Sequence, residues 1–537
     1  MSLTGAEFWG KLVASKSKIG ETLLMAIKII LLVVFFAVMV GIGIFCRRKA
    51  VDVNGFVLGG RAVGPWLTAF AYGTSYFSAV VFVGYAGQFG WRFGVAATWA
   101  GIGNALIGSL LAWAVLGRRT RVMTQHLDSA TMPEFFGRRF GSPSLKIAAS
   151  AVTFIFLIPY TASLYNGLSR LFGLAFNIDY SVCVIVMAVL TGIYVIAGGY
   201  MATAINDFIQ GIIMLFGICA VIVAVLSTQG GLSSALSKLA VQSDPAGTFT
   251  SFFGPEPVNL LGVVILTSLG TWGLPQMVQK FYAIKSERSI KKGMIVSTVF
   301  ALIVAGGCYF LGGFGRLFAD KVALDAKGDV IYDSVIPAML QKLPDLLIAL
   351  VVILVLSASM STLSSLVLTS SSTLTLDLLK GHVFKKMEEK RQVLVMRCLI
   401  VVFIAISVVM ALIQYNSSVL FIAQLMGVSW GALAGAFLAP FLFGLYWKRT
   451  TKVACWSSFV FSTVFMLAVI SPLKSYLPVI LQNPINAGAF CMLAGLVIVP
   501  VVSLFTRAPG KELVENAFSC YEQKVTAYKR DTLGDAE

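Results

Sequence analysis

Long runs of apolar residues alternate with short polar loops along almost the whole chain. Thirteen such runs can be counted, most of them near the roughly 20 residues that a helix needs to cross a bilayer. Charged residues are nearly absent within them. The pattern predicts an all-α polytopic membrane protein with spans near 23–45, 66–89, 92–116, 147–172, 178–198, 203–227, 258–279, 293–315, 345–378, 394–413, 418–446, 453–471 and 484–506.

Composition agrees with this prediction and removes several alternatives. Of 537 residues, 58% are hydrophobic and 12% charged, whereas soluble domains carry about 25% charged residues. The net charge of +17 comes without zinc-finger spacing, an RNA-binding motif or a long basic run, so it does not predict nucleic-acid binding. The cysteines and histidines show no metal-ligand spacing, and no nucleophile motif or other catalytic constellation is present, so we do not expect an enzyme. No obligatory protein partner is indicated.

Lysine and arginine are distributed unequally between alternate loops. One set of loops and the C-terminal tail hold 29 of the 41 basic residues, counting Lys280 as a loop residue. Because cytoplasmic loops are enriched in such residues, we expect the N-terminus outside and the C-terminus in the cytoplasm, in the inner or plasma membrane.

Two predicted spans contain residues that interrupt helices. Glycine costs about 1 kcal/mol in a helix and proline about 3 kcal/mol. The two segments lie five spans apart, and interrupted helices at matching positions of two halves indicate an inverted repeat around a central binding site. They read Gly73-Thr74-Ser75-Tyr76-Phe77-Ser78 in the second span and Gly270-Thr271-Trp272-Gly273-Leu274-Pro275-Gln276 in the seventh.

The ninth span carries a cluster of hydroxyl side chains. Ala358, Ser361, Thr362 and Ser365 are spaced so that they share one face of a helix. Hydroxyl oxygens, together with carbonyls freed by a broken helix, can replace water around a monovalent cation. The alternative is that each hydroxyl bonds to the carbonyl one turn earlier in its own helix.

Asp207 is the one carboxylate well inside the first six spans, after a predicted break at Gly198-Gly199. A carboxylate in hydrocarbon costs at least about 2.5–3.5 kcal/mol. We therefore expect an ion or proton relay, with an ordinary helix-end acid as the alternative.

The chain carries several motifs in its loops and helices, namely Leu58-Gly59-Gly60-Arg61, Gly64-Pro65-Trp66, Gly117-Arg118-Arg119-Thr120-Arg121, Thr131-Met132-Pro133-Glu134-Phe135-Phe136 with Arg139-Phe140, Gly198-Gly199, Asp207 to Gln210, and Met360-Ser361-Thr362-Leu363-Ser364. Together these motifs resemble those of the bacterial sodium:solute symporters, and within them the proline permease branch. The resemblance runs from about residue 55 to residue 450. One departure is Tyr76, which stands where the proline branch has an aspartate.

The resemblance implies a LeuT-type fold of two inverted five-helix repeats with flanking helices. The expected division is 1–65 for the N-terminal end, first helix and loop, 66–227 and 258–446 for the repeats, 453–506 for two further helices and 507–537 for a cytoplasmic tail. The expected activity is sodium-coupled import of a small organic solute, such as an amino acid or a monocarboxylate, by alternating access.

The resemblance also implies ligands for the co-transported sodium ion and a substrate site. The main ion site would use Thr74, Phe77, Ala358, Ser361 and Thr362, and a possible second one Asp207, Ser361, Ser364 and Ser365. Expected substrate contacts are Ser78, Val81, Tyr160, Thr161, Tyr165, Trp272, Gln276 and Gln424. A sugar is disfavoured because the face at Ser78 and Val81 carries few polar groups. The rivals are a proton-coupled permease using Asp207 and, less favoured, a channel or a membrane enzyme.

Overall fold

A computed structural model describes residues 5–176, 178–243, 245–325, 327–380, 384, 387–417 and 422–522. Over these residues the chain is a bundle of helices without a β-strand, apart from isolated bridges such as Val63 to Ile284. Residues 418–421 of the predicted eleventh span, and the tail beyond residue 522, lie outside the described part.

The helices that make up the bundle follow the apolar runs of the sequence. In chain order they are α1 (Gly5–Cys46), α2 (Pro65–Tyr76), α3 (Val80–His126), α4 (Pro143–Phe176), α5 (Tyr180–Thr228), α6 (Pro257–Gly273), α7 (Pro275–Ala283), α8 (Glu287–Gly312), α9 (Asp345–Leu379), α10 (Glu389–Ser417), α11 (Ile422–Tyr446), α12 (Lys452–Ile470) and α13 (Pro484–Phe505).

Shorter helices lie in the connections. Val53–Leu58 precedes α2, Met132–Arg139 links α3 to α4, and Leu232–Val241 follows α5. A final helix, α14 (Lys511–Ser519), packs against the α3 end and the linking helix. There the Nε2 atom of His126 lies 2.8 Å from the carbonyl oxygen of Asn516.

In the described residues, ten helices are long and apolar enough to cross a membrane, or eleven when α6 and α7 count as one bent span. Two of the ten, α3 and α5, are 47 and 49 residues long, and such helices would extend about 70 Å, twice the thickness of a bilayer core. Each contains a glycine with a positive φ, Gly94 at 62° and Gly199 at 55°. Division at both glycines would give the predicted thirteen spans, and that number stays a prediction.

Both predicted helix interruptions are present. Between α2 and α3, Phe77 has extended backbone angles of φ −80° and ψ 123°. Between α6 and α7, Leu274 is likewise extended and the two helix axes differ by 46°. The hydroxyl-rich α9 packs against α2, α4 and α5, so the first break faces the hydroxyl cluster.

Candidate functional site

The hydroxyl of Thr362 lies in a cradle of backbone oxygens. Its Oγ1 atom is 3.2 Å from the carbonyl oxygen of Thr74 and 3.3 Å from that of Phe77, both at the break between α2 and α3. The third carbonyl, from Ala358 on α9 itself, is 3.1 Å away. We call these four oxygens the carbonyl cradle.

The donors and acceptors of the cradle do not balance. A threonine hydroxyl has one proton, so it can satisfy only one of three carbonyl oxygens at a time. Next to Thr362, the Ser361 hydroxyl is fully buried and has no hydrogen-bond partner. Buried polar atoms are nearly always paired, and hard cations prefer carbonyl and hydroxyl oxygens. The residues predicted for the main ion site therefore meet in a group of oxygens that suits a small cation.

A residue of α9 stabilises the break between α2 and α3. Ser359 on α9 accepts a 3.3 Å hydrogen bond from the Ala79 amide just before α3. Thr74 donates its own hydroxyl to the Phe70 carbonyl at 2.8 Å, one turn earlier, while its backbone carbonyl lies against Thr362. Since the helix does not continue through Phe77, both carbonyls can turn toward α9.

A second polar cluster lies beside the cradle and contains the residues predicted for another ion. Asp207 is fully buried, and neither of its carboxylate oxygens has a hydrogen-bond partner. It lies within interaction range of Ser361 and Lys280. The Ser364 hydroxyl donates to the carbonyl of Ser361 at 2.8 Å.

The structure places Lys280 differently from the sequence-based prediction. The loop assignment of Lys280 is wrong, because this residue lies in α7 with 1% of its surface exposed and its Nζ 3.0 Å from the Ser365 hydroxyl. The apolar run of the seventh span ends near this residue, and periodicity alone could not show that α7 turns inward after the bend.

Aromatic and polar side chains surround the start of α3. Tyr160 of α4 lies within interaction range of Ser78 and Trp430, and its ring meets the Trp430 ring edge-on with centroids 6.0 Å apart. The Tyr76 ring lies 5.7 Å from that of Trp430. The side-chain polar atoms of Ser78, Tyr160 and Trp430 are buried without hydrogen-bond partners.

Trp430 was not predicted as a site residue, because its apolar run does not distinguish a lining side chain from a packed one. A Cβ atom on Gly270 would come within 2.5 Å of the Trp430 ring, so this glycine of the interrupted α6 makes room for the indole. Tyr76 shares a hydrogen bond with Tyr309 at 3.1 Å and accepts one from Asn104. Its hydroxyl therefore points away from the cradle.

The other predicted substrate residues are dispersed. The Gln276 amide, at the beginning of α7, is fully buried and unpartnered. Thr161 donates to Leu157 of its own helix at 2.9 Å, and the Trp272 indole donates to Ile107 at 2.9 Å, so both have structural partners. The remaining three are Val81, whose carbonyl faces Cys308, Tyr165, which lies near Tyr194, and Gln424, which is partly buried.

A membrane bundle with two interrupted helices and an oxygen cradle at one of the breaks defines a cation-coupled secondary transporter. Comparison with known proteins narrows this class. The model of the sodium:solute symporter family matches residues 56–460. The chain belongs to that family, and it couples sodium entry to the uptake of a small solute.

Individual relatives agree with this assignment. The osmoregulated proline transporter OpuE of Bacillus subtilis (strain 168) is 27% identical over 491 residues, which covers 91% of this chain and 96% of that protein. A sodium/proline symporter of Staphylococcus aureus (strain JH9) is 29% identical over 504 residues, covering 90% and 93%. These relatives are transporters.

The fold is similar to that of a solved Na⁺-coupled sialic acid symporter in a substrate-bound, outward-open state. The TM-score is 0.73 at 16% identity, with 90% of this chain and 99% of that chain covered. The predicted all-α fold of LeuT type is thereby confirmed.

Proposed function

We propose that the protein imports a small amino acid of about the size of proline, together with sodium bound in the carbonyl cradle. The observation that carries the ion site is the convergence of three carbonyl oxygens on the single hydroxyl of Thr362. Ser361 supplies the fifth oxygen. An ion held by α2 and α9 together would fix the break in the shape that binds substrate.

We place the substrate between the start of α3 and the Trp430 indole. Ser78, Tyr160 and Trp430 offer unpartnered donors there, and the beginnings of α3 and α7 present the positive ends of two helices. Gln276 adds an unpartnered amide at the second of these. Such a site suits a carboxylate with a small apolar body, which fits a proline-like amino acid better than a sugar.

The names of the relatives support the same substrate class. Both are described as proline transporters, and each aligns over about nine-tenths of this chain. Tyr76 stands where the proline branch has an aspartate, and in this chain the carbonyl cradle needs no carboxylate from that position. We therefore propose proline, or an amino acid of similar size, as the first substrate to test.

Alternating access would require the cytoplasmic side to close and open. We place the basic loops in the cytoplasm, where the segment before α2 is tied to the end of α7. The Lys285 amide donates to the Val63 carbonyl at 2.9 Å, and Arg61 donates to the carbonyls of Tyr282 at 3.2 Å and Ser129 at 2.7 Å. Release of this tie would let α2 swing away from α9 and dismantle the cradle.

Uptake into proteoliposomes tests the proposal. Labelled proline, other small amino acids and monocarboxylates are offered with an inward gradient of sodium or of choline, and separately with an inward proton gradient. We expect concentrative uptake of a small amino acid with sodium only. Uptake that choline or protons support equally would contradict sodium coupling, and uptake of a monocarboxylate alone would contradict the substrate class.

A further inference from the structure

A polar cavity of about 450 Å³ lies among the basic loops, apart from the carbonyl cradle. Its wall comes from the segment before α2, the helix Met132–Arg139 with the loop that precedes it, the first turn of α4, the end of α9 and the start of α10. Binding sites for small molecules typically enclose about 300–1,000 Å³, so this cavity is large enough for one. None of the residues predicted for sodium or for the substrate is among the described residues that line it.

Charged side chains of both signs line this cavity. The cations and carboxylates are Arg61, Arg138, Lys146, Lys380, Asp128, Glu134 and Glu389. Four of these residues form ion pairs, such as that of Arg138 with Glu134 at 2.9 Å. In the part of the chain that the structure describes, the other three have no opposite charge within 4.0 Å, and they are Arg61, Lys380 and Glu389. The cavity therefore offers two cations and one carboxylate to a ligand.

Gln392 adds a buried acceptor to the same wall. Only 2% of this residue is exposed, and its Nε2 atom donates to the Met387 carbonyl at 2.6 Å. Its Oε1 atom is buried without a hydrogen-bond partner, although buried polar atoms are nearly always paired. Glu389 lies three residues earlier on the same face of α10 and lines the cavity with it. An N–H donor of a ligand would satisfy both side chains.

We propose that this cavity binds a small amino acid as its zwitterion from the cytoplasm, and that the bound molecule holds the transporter closed on that side. The ligand's ammonium group donates to Glu389 and Gln392, and its carboxylate accepts from Arg61 and Lys380. A simple anion fits less well, because the unpaired carboxylate of Glu389 would repel it. The inference rests on the proposed function for the identity of the ligand, which is the imported amino acid, and for the cytoplasmic position of the basic loops.

The cavity joins the segment that leads into α2 to helices on its other side. Leu58 and Arg61 belong to that segment, whereas Glu389 and Gln392 belong to α10. Arg61 also donates to the Tyr282 carbonyl at the end of α7, and release of that bond is part of the proposed opening. A molecule bonded to Arg61 and to α10 together would oppose the opening. Amino acid that accumulates in the cytoplasm would then slow its own import.

Equilibrium binding of labelled proline and alanine to the purified full-length protein tests the site. Choline replaces sodium, because no oxygen of the carbonyl cradle lines the cavity. The wild-type protein and Thr362→Ala should each bind one equivalent of amino acid in choline, and Glu389→Gln should weaken this binding about tenfold or more. Glu388→Gln, at an exposed carboxylate outside the cavity, is the matched control and should bind like the wild type. No binding in choline, or binding that Glu389→Gln leaves unchanged, would overturn the inference.

Hydrogen exchange tests the effect on the closed side. The Lys285 amide donates to the Val63 carbonyl at 2.9 Å, and the amino acid at ten times its dissociation constant in choline should slow exchange of this amide about tenfold. The same concentration should slow it by no more than about twofold in Glu389→Gln. Binding that leaves the exchange of the wild-type protein unchanged would overturn the role in closure. A protein that binds in choline and gains no second equivalent with sodium would contradict the proposed function and leave this site in place.

Discussion

The Thr362 hydroxyl lies 3.2 Å from the carbonyl oxygen of Thr74, across 288 positions of sequence. This contact joins the hydroxyl-rich α9 to the end of α2, and it exists only because α2 stops at Tyr76. In an uninterrupted helix the Thr74 carbonyl would accept from the amide four residues later. The interruption therefore turns a backbone oxygen into a potential ion ligand.

Loss of either hydroxyl next to the cradle should weaken sodium binding. Ser361→Ala and Thr362→Ala should each raise the sodium concentration for half-maximal transport by roughly ten- to a hundredfold, because interactions with a charged partner contribute about 1.5–3 kcal/mol. Transport assays over a range of sodium concentrations measure this. Ser372→Ala is the matched control, since the Ser372 hydroxyl bonds to Thr369 of its own helix at 3.1 Å. An equal rise of the half-maximal sodium concentration in Ser372→Ala would contradict a specific role of the cradle in sodium binding.

Substrate affinity should depend on Tyr160 and hardly on Trp272. Tyr160→Phe keeps the ring and removes a buried hydroxyl, so we expect the substrate KM to rise about three- to tenfold, with the sodium dependence at saturating substrate unchanged. Trp272→Phe should change the KM much less, because the indole N–H is engaged by Ile107. A larger rise of the substrate KM in Trp272→Phe than in Tyr160→Phe would contradict the proposed substrate site.

The hydrogen bonds that join Arg61 and Val63 to the end of α7 form the cytoplasmic tie, and they should limit how easily α2 moves. Arg61 has a left-handed backbone with φ 52°, and burial, followed by the nearby Arg121, lowers the pKa of its guanidinium from the usual value. Arg61→Ala removes its hydrogen bonds to the backbone carbonyls of Tyr282, Ser129 and Thr124. The amide of Lys285 should then exchange with deuterium faster, by about tenfold or more. Arg61→Lys, which keeps the charge without the fork of donors, should be intermediate. Unchanged exchange in Arg61→Ala would show that the tie does not depend on this side chain.

The buried ion pair of Lys146 and Asp377 should stabilise the fold. Asp377 is fully buried, with Lys146 Nζ at 3.3 Å and the Thr131 hydroxyl at 2.5 Å. Lys146→Met leaves the carboxylate unpaired, so it should lower the melting temperature more than the double variant Lys146→Met with Asp377→Asn. Thermal unfolding in detergent checks the order. A double variant that melts at a lower temperature than the Lys146→Met protein would show that the aspartate stabilises the fold without its partner.

Much of the ion site could be predicted from sequence. Glycines and hydroxyls at 73–78 indicated the first break, and the spacing of Ser361 and Thr362 placed both on one helical face. The specific assignment of carbonyls at Thr74 and Phe77 came from the family resemblance. The structure places those carbonyls beside Thr362, and their role in binding sodium stays a prediction.

The substrate region and the second cluster were less predictable. Trp430 lies in an apolar run in which nothing separates a lining side chain from a packed one. Lys280 follows an apolar run and so was counted with the loop, although the 46° bend before α7 carries it into the interior. Side chains that meet through a bend depend on tertiary geometry, which hydropathy does not encode.

Sodium movement driven by substrate tests the coupling itself. Proteoliposomes receive labelled sodium at equal concentrations on both sides, and an inward gradient of unlabelled substrate is then imposed at zero membrane potential. We predict net sodium entry in step with substrate, and its loss in Thr362→Ala at the same sodium concentration, because coupling between two ligands is reciprocal. Entry of substrate without any net movement of sodium would contradict the proposal that the carbonyl cradle couples the two.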